Sequence, residues 1–126
     1  MVKVENFRTF DVYNRSIDLS MAIKQATNSC RGNLTEHEVS VIYKNAITIP
    51  NKIAAALAQV NMKVRFKKLN EAKSTLIQLQ TIMLEMKKGK KIDDQIWQEV
   101  NDYSTEVMKL LNGYFKWISK IKPKTR

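Results

Sequence analysis

The sequence predicts an all-α fold, an antiparallel up-down-up-down four-helix bundle that forms one domain over residues 1–126. Three observations predict it. Apolar residues recur at alternating spacings of three and four through four separate stretches. The breaks between those stretches are short, which makes consecutive helices antiparallel neighbours. Gly is 3 and Pro is 2, too few for the many turns of an all-β protein. Hydrophobic residues at 44% and charged residues at 27% describe a globular chain rather than a disordered one. A length of 126 residues suits a single domain.

Residues 1–9 read as an N-terminal arm, with Thr9 placed to cap the first helix. That helix is predicted over 10–30. Its stripe is Val12, Leu19, Ile23, Ala26 and Cys30, widened by Tyr13 and Ile17 and weakened by Ser16 and Ser20. Ser29 to Leu34 is a turn, and Gly32 is placed for the left-handed residue after a helix. The second helix starts at Thr35. Thr35-Glu36-His37-Glu38 is a capping box, in which a hydroxyl caps the first turn and the Glu three residues on reaches back. Its stripe, Val39, Ile42, Ala46, Ile49, Ile53, Ala56 and Val60, passes Pro50 without losing phase. An interior proline removes one backbone hydrogen bond and crowds the preceding turn. An in-phase pattern on both sides therefore predicts a helix kinked at Pro50 that continues to about Val60.

Asn61 is the local cap for a third helix with the stripe Phe66, Leu69, Ala72, Leu76, Leu79, Met83 and Met86. It stops in Lys87–Lys91, where Gly89 is the expected terminator. The fourth helix begins near Asp93, with Ile92 and Trp97 placed as a hydrophobic staple. Its stripe is Ile96, Val100, Tyr103, Val107, Leu110, Tyr114, Trp117 and Ile121. Pro123 closes it, leaving a basic tail over 122–126. Helices of about 20 to 28 residues make a bundle roughly 35 Å long at 1.5 Å per residue.

Three pieces of this chain carry a family resemblance: Asp11-Val12-Tyr13 with Leu19 and Ile23 in step, Ile49-Pro50-Asn51-Lys52-Ile53-Ala54, and Met108-Lys109-Leu110-Leu111-Asn112-Gly113. In order and spacing they resemble the four-helix-bundle proteins encoded in intervening sequences of bacterial 23S rRNA genes. Thr48, Lys52, Ala55 and Ala56 depart from that family's Ser, Asn, Glu and Gly. A sister group with this fold is the accessory variability proteins of diversity-generating retroelements. The resemblance to that group implies a basic pentameric assembly that binds nucleic acid and a reverse transcriptase.

The formal net charge is +10. Such an excess costs self-repulsion and commonly serves a polyanionic partner. In the predicted topology the N-terminal arm, the start of helix 3 and the end of helix 4 share one end of the bundle. Lys3, Arg8, Arg15, Lys63, Arg65, Lys67, Lys68, Lys73, Lys116, Lys120, Lys122, Lys124 and Arg126 lie there, thirteen bases against Glu5, Asp11 and Glu71. The rest of the chain holds nine bases and nine acids, so the whole excess sits at one end. Lys and Arg neutralise phosphates and release counterions, which gives salt-sensitive affinity with little sequence choice. The candidate nucleic-acid ligands are these residues other than Lys3, together with Lys52 beside Pro50. The plainer reading of the C-terminal lysines is a solvated tail. The loop 87–91 lies at the other end among Glu36, Glu38, Asp93 and Asp94 and reads as locally compensated.

Helix 4 carries a second apolar stripe, Met108, Leu111, Phe115 and Ile118. It either widens the core or forms a subunit or partner interface, since a large apolar face is a liability on a monomer. With the pentameric resemblance, a homo-oligomer is expected.

No catalytic constellation appears. Di-iron bundles need Glu-x-x-His pairs, and the single His37 has no Glu three residues before it. Cys30 has no partner base and reads as a core residue; as the only Cys it permits no intramolecular disulfide. No cofactor or metal is expected, and no segment reaches the ~20 apolar residues of a membrane span. Met1 to Asn6 shows no apolar run of signal-peptide length, so a cytoplasmic location is expected. The function expected is a non-catalytic, oligomeric bundle that binds RNA or DNA and assists a reverse transcriptase or a structured RNA. The alternative is a protein-interaction scaffold whose basic end meets an acidic partner. An amphipathic protein on an anionic membrane is disfavoured, because the apolar stripes are needed for the core.

Overall fold

The computed structural model of the protein describes residues 10–121, with side chains through Lys120. The expected arm 1–9, with Arg8 and Thr9, and the tail 122–126 lie outside the described residues. The chain forms α1 (Asp11–Ser29), α2 (Glu36–Leu57), α3 (Met62–Lys88) and α4 (Asp94–Ile121), with one short 3₁₀ turn at Arg31–Asn33 between α1 and α2. Each helix packs on its sequence neighbours, and α1 also packs on α4, so the four close into a ring. Phe66 with Phe115, Lys73 with Asn112 and Gln80 with Ser104 pair in descending order along α4, which makes α3 and α4 antiparallel.

The helix starts follow from their caps. Thr35 Oγ1 accepts from the Glu38 N–H at 3.0 Å, and Glu38 Oε1 accepts from the Thr35 N–H at 2.9 Å. Asn61 Oδ1 accepts from the N–H groups of Lys63 and Val64 at 2.9 and 3.1 Å. Asp93 Oδ1 accepts from the Gln95 N–H at 2.8 Å. These satisfy donors that the first turn of a helix leaves free. α1 starts at Phe10 with no side-chain cap.

α2 runs unbroken through the buried Pro50. The ring removes the N–H that would bond the Ala46 carbonyl. Packing outweighs that loss: Ile49, Ile53 and Ala56 are fully buried on the same stripe. The helix stops at Leu57, earlier than the apolar pattern implies, because the chain must turn before the Asn61 cap. Val60 is consequently 70% exposed.

The core is a continuous cluster drawn from all four helices, including Leu19, Ile23, Ile42, Ile49, Leu69, Leu76, Leu79, Val107 and Leu111. Burying each such Leu or Ile contributes about 1.5–3 kcal/mol. Two stripes differ from expectation. On α3 the inward place next to Phe66 belongs to Arg65, which is buried, while Phe66 is 40% exposed. On α4 Tyr103 and Trp117 are exposed and Leu110 is half-buried. A straight helix drifts about 20° per heptad against a strict seven-residue repeat. The series Ile96, Tyr103, Leu110, Trp117 therefore rotates out of the core. The buried line is Val100, Ser104, Val107, Leu111 and Ile118. Leu111 and Ile118, read as half of a possible interface, are core residues of the single chain. Met108 and Phe115 are half-buried against that core.

The turns correct the reading of Gly32 and bear out Gly89 as the terminator of α3. Gly32 lies in the 3₁₀ turn and has no positive φ, and Gly89 is the C-cap of α3 at φ −79°. The left-handed residue is Lys90, at φ 61°. The Lys90 N–H donates to the Lys87 carbonyl and the Lys91 N–H to the Met86 carbonyl, both at 2.9 Å, which is a Schellman closure. A side chain in that region costs roughly 1–2 kcal/mol, partly offset by glycine's greater entropy when unfolded. Lys90→Gly is expected to raise stability by up to about 1 kcal/mol in urea denaturation. Gly113 is the reverse case, helical and exposed with nothing within 4 Å of where a Cβ would stand. Gly113→Ala is expected to gain about 0.5–1 kcal/mol in the same assay.

Candidate nucleic-acid interface

The start of α1, the end of α2, the start of α3 and the end of α4 meet at one end of the bundle. Three interactions bring them there. Phe10 packs edge-on against Tyr114, with ring centroids 6.1 Å apart. Arg65 Nη1 donates to the Tyr114 hydroxyl at 2.5 Å. The same guanidinium donates from Nε to the Gln59 carbonyl at 2.9 Å and from Nη2 to the Leu57 carbonyl at 3.1 Å. One buried fork therefore ties α3 to the exit of α2 and to α4. A cation also suits the negative C-terminal end of α2.

The basic residues at this end fall into three groups. Lys63, Lys67, Lys116 and Lys120 are exposed. The described residues form two ion pairs, Arg15 with Asp18 at 2.8 Å and Lys91 with Glu38, and neither involves these four. Lys68 is half-buried, as are Lys52 and Lys73, whose ammonium groups are engaged within the protein. Lys52 Nζ donates to Thr75 Oγ1 at 3.1 Å, and Lys73 Nζ donates to Asn112 Oδ1 at 3.0 Å while lying over the Phe115 ring. Arg65 is the correction. Expected on the surface as a phosphate ligand, it is 7% exposed and has its fork filled by protein acceptors. Arg15 is exposed but paired. Arg8, Lys122, Lys124 and Arg126 lie outside the described residues.

The end also carries aromatic surface. Trp117 stacks on Tyr114 with centroids 5.3 Å apart and planes 27° from parallel, and remains 46% exposed. Phe66 packs edge-on to Phe115 at 5.1 Å. Sequence reasoning placed Trp117 and Phe66 in the core; the heptad drift along α4 was the signal that could have moved Trp117 out.

The opposite end differs electrostatically. Lys91 is bonded to Glu38, and Lys87 lies 4.3 Å above the Trp97 ring centroid. The Lys91 ammonium, helped by the Thr35 N–H, holds the Glu38 carboxyl below the usual carboxylate range. A surface cavity of about 360 Å³ lies between α1 and α4, walled by Met21, Ala26, Ile96 and Tyr103 and edged by Asp18 and Glu99. Its acids disfavour a phosphate there. Among the described residues no group of three His, Cys, Asp or Glu side chains could hold a metal ion, and no helix is long and apolar enough to cross a membrane. In comparisons with known proteins, no family model and no curated protein matches the chain.

Proposed function

We propose that the protein is a non-catalytic nucleic-acid-binding bundle that holds RNA or DNA at its basic end. The observation that carries this reading is the segregation of charge. Lys63, Lys67, Lys116 and Lys120 are exposed and outside the ion pairs at one end, where Asp11 and Glu71 are the acids among the described residues. At the other end Lys88 and Lys90 are also exposed and unpaired, but Lys91 and Lys87 are engaged and Glu36, Glu38, Asp93 and Asp94 offset the loop's charge. Four cations held together repel one another unless a polyanion lies across them. Phosphates fit that requirement without sequence readout. The resemblance to intervening-sequence and retroelement accessory proteins extends the proposal. In it the protein self-associates, as a pentamer in the retroelement case, and assists a reverse transcriptase or a structured RNA.

The test is titration of a labelled oligonucleotide at two salt concentrations. Affinity falls steeply between about 50 and 200 mM salt if phosphates are the ligand; affinity that ignores salt contradicts the reading. The alternative is an acidic protein partner, favoured by the apolar Val60 and Val64 exposed at the same end, at 70% and 38%. A high ratio of absorbance at 260 to 280 nm in protein purified at low salt separates the two, because only nucleic acid produces it.

A further inference from the structure

We propose that Trp117 is a stacking platform for an unpaired base, so that the basic end selects single-stranded over double-stranded nucleic acid. This rests on the proposed function and adds to it the class of strand and the residue that recognises it. Phosphate contacts alone would accept either strand form. The structure supplies a second kind of contact beside them.

Trp117 is held for that use. One side of its ring stacks on Tyr114, and Tyr114 is fixed in turn by the Arg65 hydrogen bond to its hydroxyl and by the edge of Phe10. Packed on Tyr114 and still 46% exposed, Trp117 keeps close to half of its surface open to solvent. An aromatic surface preordered in this way loses little entropy when a base joins the stack. The surroundings leave room for one. Gly113 lies one turn earlier on the same helix, and nothing stands within 4 Å of where its Cβ would be. Lys120 lies three residues further on, and Lys116 is adjacent in sequence, both exposed. Residues three apart share a helix face, so a phosphate at Lys120 would put its base beside the indole. Every base has a π-face, so the contact tolerates sequence, but a base inside a duplex is stacked on its neighbours and cannot reach the ring. A core role for Trp117 is excluded by its exposure, and the core line of α4 passes instead through Leu111 and Ile118.

The test compares a single-stranded oligothymidylate with a duplex of the same length, using full-length protein and anisotropy of the labelled strand. Trp117→Ala is expected to weaken single-strand binding by about 5- to 150-fold, the loss of one base–aromatic stack. Duplex binding and the salt dependence of both are expected to stay as in the parent protein, because no cation is removed. Trp117→Phe restores most of the single-strand affinity. There are two tryptophans, so in Trp97→Phe protein the indole fluorescence comes from Trp117 alone; it is quenched by the single strand and not by the duplex. Equal losses on both strands, or no loss and no quenching, overturn the stacking role while leaving the salt-dependent interface in place. Failure of the parent protein to bind either strand overturns the proposed function itself.

Discussion

Arg65→Ala lowers the stability of the fold by about 3 kcal/mol, measured as the shift of a urea or thermal transition. Three acceptors lose their donor together: the Leu57 and Gln59 carbonyls and the Tyr114 hydroxyl. The hydroxyl can turn to another partner, but the Leu57 carbonyl belongs to the last turn of α2, where no intrahelical N–H is available. An unsatisfied buried acceptor costs about 1–3 kcal/mol. For a chain of this length the midpoint falls by roughly 10 °C. Arg65→Lys recovers only part of the loss, because one ammonium cannot span acceptors arranged for a planar fork. Affinity for a duplex oligonucleotide, measured well below the transition, changes little. An Arg65→Ala protein as stable as its parent, or one that folds normally and no longer binds, would return Arg65 to the surface role that its charge alone implies.

Leu111→Ala costs about 2–5 kcal/mol, the range for removing a fully buried leucine side chain and leaving a cavity. Leu111 is 0% exposed within the single chain. Its loss therefore acts on folding at any protein concentration. Phe115→Ala costs less, since Phe115 is half-buried and packs partly on the exposed Phe66. The contrast separates the two readings of the second α4 stripe. A Leu111→Ala protein that keeps its denaturation midpoint but changes its mass in light scattering would restore the interface reading for that residue.

Most of the fold was legible because each helix has a cap or a break that the sequence displays. Thr35 with Glu38, Asn61 and Asp93 all cap as their residue types predict, and Leu19, Ile53, Leu76 and Val107 sit where the three-four spacing puts them. What was not legible has physical causes. Spacing alone cannot show that a heptad pattern drifts around a straight helix, so it puts Trp117 and Tyr103 inside and leaves Leu111 open between core and interface. Periodicity also scores an arginine as polar, so it cannot foresee that Arg65 turns inward to meet two carbonyls near the end of α2. Gly89 marks the right turn, yet the left-handed position is one residue later, at Lys90. The candidate site was legible as a charge excess at one end of the bundle. Which cations are free depends on hydrogen bonds between helices, such as those of Lys52 and Lys73, that no local pattern encodes.

The central claim is that one end of the bundle holds nucleic acid. It is tested most directly by two proteins of equal net charge. One carries Lys63→Gln, Lys67→Gln, Lys116→Gln and Lys120→Gln; the other carries Lys24→Gln, Lys44→Gln, Lys88→Gln and Lys90→Gln. All eight lysines are exposed, so the substitutions remove charge with little loss of packing. The measurement is the slope of log affinity for a single-stranded oligonucleotide against log salt. The first protein is predicted to bind weakly, with the slope shallower by about 0.7 for each phosphate that is no longer neutralised. The second is predicted to keep the parent slope and nearly the parent affinity. Equal weakening of the two proteins, or an unchanged slope in the first, would contradict a localised phosphate-binding end and leave only a diffuse effect of net charge.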